Sequence, residues 1–379
     1  MPRLSRRDLL LATGTSILAY AAGASLAPEA LSTPTSTRLD PDFTFLLRGI
    51  DGIDDVLYAG DLDNHALRQS ADWAATWSAP KPLPPNSVAD EVTRVIRHND
   101  IVFCAGRDTE LARLRVWRSP PADGDTPFQW VATPLSTQDF TSAKSGTQFT
   151  HDERYLYAGE YGNPPNGPNL YRSPDGTMWE TVFSDADQLA AIGRTARHIH
   201  AVAVDPYNAG HVYFTTGDFG VLTGAALWRS TQAGDPGTWE VVLPTGRYQS
   251  SQISFDADTI WLAADNHVDT AVVIDRATMT AATASPTHHY QIPVPGGAPG
   301  DAYYRIASHG KVDPQTGIYY CVTTTDIGNT EGMFAIPAIG AAVQLIDPGG
   351  QDIEMRSQVF IAHGRVWSGQ WYRPLLTSS

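Results

Sequence analysis

The chain has 379 residues and a formal charge of −15, from 26 Lys and Arg against 41 Asp and Glu. Hydrophobic residues make up 42%, enough for a sizeable core, so disorder is excluded. The acidic balance argues against a nucleic-acid partner, because phosphate neutralisation needs clustered Lys and Arg. Charged residues are only 18%, while 32 Gly and 27 Pro signal many turns. The length allows two or three ordinary domains, or one large all-β domain.

At the N-terminus, Arg3, Arg6 and Arg7 precede an apolar stretch from Leu9 to Ala22 that is too short for a membrane span. Ser5-Arg6-Arg7-Asp8-Leu9-Leu10 resembles a twin-arginine export signal, with Leu9 where Phe is usual. Ala22-Gly23-Ala24 offers a small-residue cleavage site. Residues 1–24 therefore read as a twin-arginine-type signal peptide, with an ordinary Sec signal as the alternative. Either one sends the protein out of the cytoplasm. Its removal takes away three Arg and one Asp, which leaves a charge of −17. Residues 25–42, rich in Pro, Thr and Ser, read as a linker, and no later stretch reaches membrane-span length.

From residue 43 to 379 a short pattern of apolar, aromatic and small residues recurs. Its clearest copies are Val56-Leu57-Tyr58-Ala59-Gly60, Ile101-Val102-Phe103-Cys104-Ala105-Gly106, Tyr155-Leu156-Tyr157-Ala158-Gly159 and Val212-Tyr213-Phe214-Thr215-Thr216-Gly217. Weaker copies lie at Trp261, Tyr320 and Phe360. A second pattern, apolar or aromatic then Arg or Gln then Ser, follows the first four copies and ends at Ser70, Ser119, Ser173 and Ser230. Each Ser leads through a polar turn to a Trp: Trp77, Trp130, Trp179 and Trp239. Periods of 40–59 residues built from short β-like runs predict an all-β protein, a β-propeller with four-stranded blades. Seven copies predict seven blades, with six as the alternative.

Ser70-Ala71-Asp72-Trp73-Ala74-Ala75-Thr76-Trp77 and Ser173-Pro174-Asp175-Gly176-Thr177-Met178-Trp179 resemble the Asp-box, or bacterial neuraminidase repeat, of sialidase-like propellers. The resemblance covers most of residues 43–245 and implies a propeller fold with a glycan as substrate. Ser70, Asp72, Trp77, Ser173, Asp175 and Trp179 are expected to be structural. The carboxylate and hydroxyl bind turn amides, and the Trp packs between sheets.

In each blade the aromatic pattern is the second strand and the Ser-ending pattern the third. The starts of the first strands then share one face with the long loops between second and third strands, a usual place for a site. Glu160, Asp218, His198, His200 and Tyr161 are the catalytic candidates there. Carboxylates and imidazoles supply acid, base and nucleophile. Arg94, Arg197, Arg305, Tyr304, Asp265 and His267 are the substrate-binding candidates, with the Arg side chains suited to a carboxylate on an acidic sugar. A sialidase would carry a Phe/Tyr-Arg-Ile-Pro motif in its first blade; here Tyr304-Arg305-Ile306-Ala307 lies in the sixth and lacks the Pro. The expected function is cleavage of a glycosidic bond by an exported monomer, as a hydrolase or a uronate lyase. The alternative is a propeller that binds carbohydrate or protein without catalysis. No cofactor is expected, and a bound metal ion is left open. Cys104 and Cys321 fall in the second and sixth blades and are expected to be free, buried thiols.

Overall fold

The computed structural model describes residues 37–38, 47–53, 56–61, 66–73, 75–82, 89–108, 113–119, 131–133, 148–160, 168–217, 224–243, 249–265, 269–279, 286–292, 306–324, 332–347, 359–362, 365–368 and 371–374. The expected signal peptide and Trp130 lie outside them. Residues 35–379 group into one compact unit. None of the described helices is long and apolar enough to cross a membrane.

The described strands form seven four-stranded antiparallel sheets. Strand β1 (Thr37–Arg38) opens the chain and joins the last sheet. The first sheet holds β2 (Leu47–Ile53), β3 (Val56–Asp61), β4 (Ala66–Ser70) and β5 (Lys81–Pro82). The second holds β6 (Ala89–His98), β7 (Ile101–Asp108), β8 (Arg113–Ser119) and β9 (Val131–Thr133). The third holds β10 (Phe149–His151), β11 (Leu156–Gly159), β12 (Leu170–Ser173) and β13 (Glu180–Phe183). The fourth holds β14 (His198–Val204), β15 (Val212–Gly217), β16 (Ala226–Ser230) and β17 (Glu240–Leu243). The fifth holds β18 (Ser250–Phe255), β19 (Thr259–Ala264), β20 (Ala271–Asp275) and β21 (Pro286–Tyr290). The sixth holds β22 (Ile306–Val312), β23 (Tyr319–Thr324), β24 (Gly332–Ile336) and β25 (Gln344–Asp347). The last holds β26 (Val359–Ala362), β27 (Arg365–Ser368), β28 (Trp371–Pro374) and β1.

The first strands touch in order, β2, β6, β10, β14, β18, β22 and β26, and β26 touches β2. This closed cycle around an axis is a β-propeller. Between neighbouring sheets lie apolar clusters, so the second strands are covered on both faces and read as continuous apolar runs. All six residues of β15 and of β19 are buried. Between the third and fourth sheets, Phe183 meets Phe214 and Trp228 at ring-centroid distances of 4.7 Å each, and Trp239 stands edge-on to Phe214 at 4.9 Å.

One feature departs from the sequence reading, and a second completes it. The copy at Phe360 is a first strand, not a second, because β26 lies at the open edge of the order β1-β28-β27-β26. Trp367 in β27 takes the second-strand place, paired with Phe360. The first strand, Val-Phe-Ile-Ala, has the apolar, aromatic and small residues of the second strands elsewhere, so composition alone cannot phase the sheet. Thr37 and Arg38, expected in the linker, pair with Tyr372 and Trp371, so the start of the chain supplies the outermost strand of a sheet otherwise made by its end.

Asp72 and Asp175 each hold the turn that follows a third strand. Asp72 Oδ1 accepts from the Ser70 hydroxyl and the Thr76 amide at 2.8 Å each, and Oδ2 accepts from the Thr76 hydroxyl at 2.6 Å. Hydrogen bonds from Thr76, then Ser70, hold the Asp72 carboxyl down at about 2. In the third sheet the Ser173 hydroxyl accepts from the Gly176 amide at 2.8 Å, and Asp175 accepts from the Thr177 amide at 2.8 Å. Trp239 reaches across to the neighbouring sheet and donates from Nε1 to the Val182 carbonyl at 3.0 Å. Cys104 and Cys321 are buried, in the second and sixth sheets, and are not joined in a disulfide.

Candidate functional site

Five of the seven first strands carry an extra residue opposite the end of the second strand: Gly49, Thr93, His200, Ser251 and Ser308. Such a bulge twists the strand and re-aims a side chain. At the position where the other four sheets have Gly, Thr or Ser, the fourth has an imidazole. Ile199 turns toward the third sheet, in one cluster with Leu170 and Phe183. His200 turns the other way, toward the fifth sheet.

Three side chains meet there. His198 Nε2 lies 2.8 Å from His200 Nε2, with the rings stacked 4.7 Å apart. His200 Nδ1 lies 3.1 Å from Asp265 Oδ2, which also accepts from Gln249 Nε2 at 3.3 Å. The Gln148 side chain donates to the His200 carbonyl at 2.9 Å. His198 and His200 are buried, whereas the Asp265 side chain is 30% exposed. Gly217 makes room for the ring, since a Cβ there would come within 2.7 Å of His200 Cε1 and Nε2.

The partners dictate the hydrogens. A carboxylate only accepts, so His200 carries its hydrogen on Nδ1. In neutral His200, Nε2 is then the acceptor and His198 Nε2–H the donor. That leaves the lone pair of neutral His198 on Nδ1. The chain Asp265–His200–His198 is therefore an oriented relay, able to take up a proton at His198 with the added charge held by Asp265.

Glu160 is at the same end but faces away. Its backbone carbonyl accepts from the Ile199 amide at 2.8 Å. Its carboxylate Oε2 accepts from Asn169 Nδ2 at 2.5 Å and the Tyr171 hydroxyl at 3.1 Å. Tyr171 and Ala158 belong to the cluster shared with Phe103 and Ala105 of the second sheet. Glu160 is fully buried, and its Oε1 has no hydrogen-bond partner among the described residues. Burial pushes the carboxyl up to about 7, against the opposing bonds from Asn169 and Tyr171. A Glu160 carboxylate working directly on His198 is thus excluded by the sidedness of the sheet.

Of the other sequence candidates, Arg197 is exposed directly before His198, with its amide donating to the Gly217 carbonyl at 3.0 Å. Arg94 lies one residue past the bulge at Thr93 and lines a cavity with Pro206, Tyr207 and Pro314, which belong to the turns at the opposite face. Tyr161, Asp218, His267, Tyr304 and Arg305 lie outside the described residues. Gln148, Asn169, Tyr171 and Gly217 were not singled out by sequence. Only the Gly at the end of the second-strand pattern carried a signal, since glycine marks close backbone approach. Among the described residues, no group of three or more His, Cys, Asp and Glu is arranged to hold a metal ion.

No family model matches the sequence, and no curated protein matches it. Among solved structures, the chain is similar to a catalytically inactive His→Ala variant of virginiamycin B lyase from Staphylococcus aureus, solved with quinupristin. That match has a TM-score of 0.58 at 12% identity and covers 90% of this chain and 99% of the lyase. A Bacteroides uniformis protein described provisionally as a 6-phosphogluconolactonase matches with a TM-score of 0.51 at 9% identity, over 85% of this chain and 87% of that one. The β-propeller domain of the Trilobed protease from Pyrococcus furiosus gives a TM-score of 0.45 at 7% identity, over 85% and 90%. At such identities the first two likenesses are of fold: this chain is built as a β-propeller.

Proposed function

We propose that this chain is an exported, monomeric, sialidase-like propeller of seven blades that cleaves a glycosidic bond in an acidic glycan. Seven sheets with their first strands in a closed cycle support the blade count. The Asp-box turns support the sialidase-like resemblance. Residues 1–24 support export.

Of the two bond-cleaving routes, we assign the uronate lyase. The observation that carries this is the His198–His200–Asp265 chain. Elimination needs one strong, oriented base at the carbon next to a carboxylate, and a cation on that carboxylate. His198 Nδ1, buried among the described residues, must be uncovered to take the proton from that carbon. Its electron pair becomes the new carbon–carbon double bond, and the carbon–oxygen bond one position further breaks. The leaving sugar oxygen departs with the bonding pair and takes a proton from solvent. Arg197, and Arg305 beyond the described residues, neutralise the substrate carboxylate. Hydrolysis by a carboxylate pair would need both across the scissile bond, and the Glu160 carboxylate faces the other side of its sheet; hydrolysis through a Tyr nucleophile would rest on Tyr161, outside the described residues.

The burial of both imidazoles, at 1% and 3% exposure, favours a second reading. In it the pair ties the fourth sheet to the fifth, and the protein binds glycan without cleaving it.

Incubation with polyuronates and sulfated uronate-containing glycans separates the readings. A lyase yields products absorbing in the ultraviolet from the new double bond. Saturated products mean hydrolysis, and binding on a glycan array without any product means the second reading.

A further inference from the structure

Helix α1 (Asp185–Ile192) follows β13, and residues 193–197 carry the chain from it to His198 at the start of β14. The Ser184 amide donates to the Asp187 carboxylate at 2.8 Å at its start, and Gly193 ends it with a φ of 67°. A surface helix normally turns its apolar side chains inward. This one does the reverse at its centre. Leu189 is 50% exposed, while the buried residue of the helix is Gln188, at 0% exposure.

Burying an amide costs free energy unless it is bonded. Gln188 Nε2 donates to the Gly224 carbonyl at 3.0 Å. The same carbonyl accepts from the Thr216 hydroxyl at 2.9 Å. Thr216 is the register partner of Ile199, which stands between the two relay histidines. Gly224 in turn lies against the chain that leads into β14. A Cβ at Gly224 would come within 1.9 Å of the Thr195 carbonyl oxygen and 2.9 Å of Ala196 Cα. Those are backbone atoms, with no rotamer by which to retreat. Past them, the Arg197 amide donates to the carbonyl of Gly217, the register partner of His198. Contacts thus run from Gln188 through Gly224, Thr195 and Ala196 to His198.

We propose that Gln188 is a positioning residue for the relay. It holds Gly224 against Thr195 and Ala196, and so fixes where β14 begins and how His198 meets His200. This role rests on the relay, and only its kinetic consequence rests on the lyase reading.

Gln188→Met in the full chain keeps the side-chain length and removes the donor. Nitrogen-15 spectra should show neutral His198 losing its preference for hydrogen on Nε2. His211, in the turn at the other end of β14, should keep its resonances. Leu189→Ala, on the exposed side of the same helix, should leave both histidines as they are. On a polyuronate that the unaltered protein cleaves, Gln188→Met should lose about tenfold or more in kcat with KM little changed, because a displaced base slows the chemical step and not binding. Should Gln188→Met fail to fold, Gln188→Asn, whose amide stops one methylene short of Gly224, is read in the same way. Unchanged His198 resonances in a folded Gln188 variant, or equal changes in Leu189→Ala, would overturn the role. If the unaltered protein forms no unsaturated product, the lyase reading falls and the spectra still decide the role of Gln188. If neutral His198 in the unaltered protein carries its hydrogen on Nδ1, the relay falls and this role with it.

Discussion

Nε2 of His198 and Nε2 of His200 lie 2.8 Å apart although the residues are separated by only one position. Ordinary alternation would put two such side chains on one face about 7 Å apart. The bulge at His200 tips its ring back onto that of His198, and Asp265 then fixes which nitrogen carries hydrogen. Nitrogen-15 spectra of the histidines should therefore show His200 protonated on Nδ1 and neutral His198 protonated on Nε2. In Asp265→Ala, the His200 preference should be lost. A His200 protonated only on Nε2 in the unaltered protein would refute the relay.

Gly217 and Gly159 occupy matching places at the ends of β15 and β11, but a methyl group does different things at each. At Gly217 it would come within 2.7 Å of the His200 ring, and at Gly159 within 2.6 Å of the Ile199 side chain. Both alanine variants should lose about 1–3 kcal/mol of stability from overpacking. Only Gly217→Ala should also disturb the His200 resonances. Equal disturbance by Gly159→Ala would mean that the ring is not set locally.

Glu160 should make the protein less stable as pH rises. Its carboxyl sits at about 7 in the folded chain against an ordinary 4.5, so folding takes up a proton between those values. Stability is greatest below pH 4.5, falls through the window up to about 7, and is level above it. The loss is on the order of 3 kcal/mol. Glu160→Gln keeps the shape and removes the charge, so its melting temperature should rise above the parent's at pH 8 and converge near pH 4.

Asp72 acts in the opposite sense. Its carboxyl is held at about 2 by Thr76 and Ser70, below the ordinary 3.8. The stability it lends is present above pH 3.8 and lost as pH falls toward 2. Asp72→Asn should therefore melt lower than the parent at pH 6 and match it near pH 2. A constant gap across that range would show that the side chain's shape, and not its charge, holds the turn.

The fold was legible because the first four blades repeat the same three cues. An aromatic is followed by small residues, then Arg-Ser or Gln-Ser, then a polar turn into Trp. The phase of the last sheet was not, because Val359-Phe360-Ile361-Ala362 imitates a second strand while belonging to a first. Among site residues, His198, His200 and Asp265 were legible as strand-start and loop residues that share one end. Their contact was not, because the bulge has no residue signature: its occupants are Gly, Thr, His, Ser and Ser. The sidedness of Glu160 follows from simple alternation with Ala158, and its partners Asn169 and Tyr171 come from a strand whose register only the fold supplies.

The most direct test of the relay is turnover of an acidic glycan by His200→Ala and Asp265→Asn beside the unaltered protein, with melting temperatures measured in parallel. On a substrate that gives an ultraviolet-absorbing product, His200→Ala should lose about 10²- to 10⁴-fold in kcat while remaining folded. Asp265→Asn should also fall, through loss of the orienting charge. Undiminished turnover in both folded variants would contradict the account.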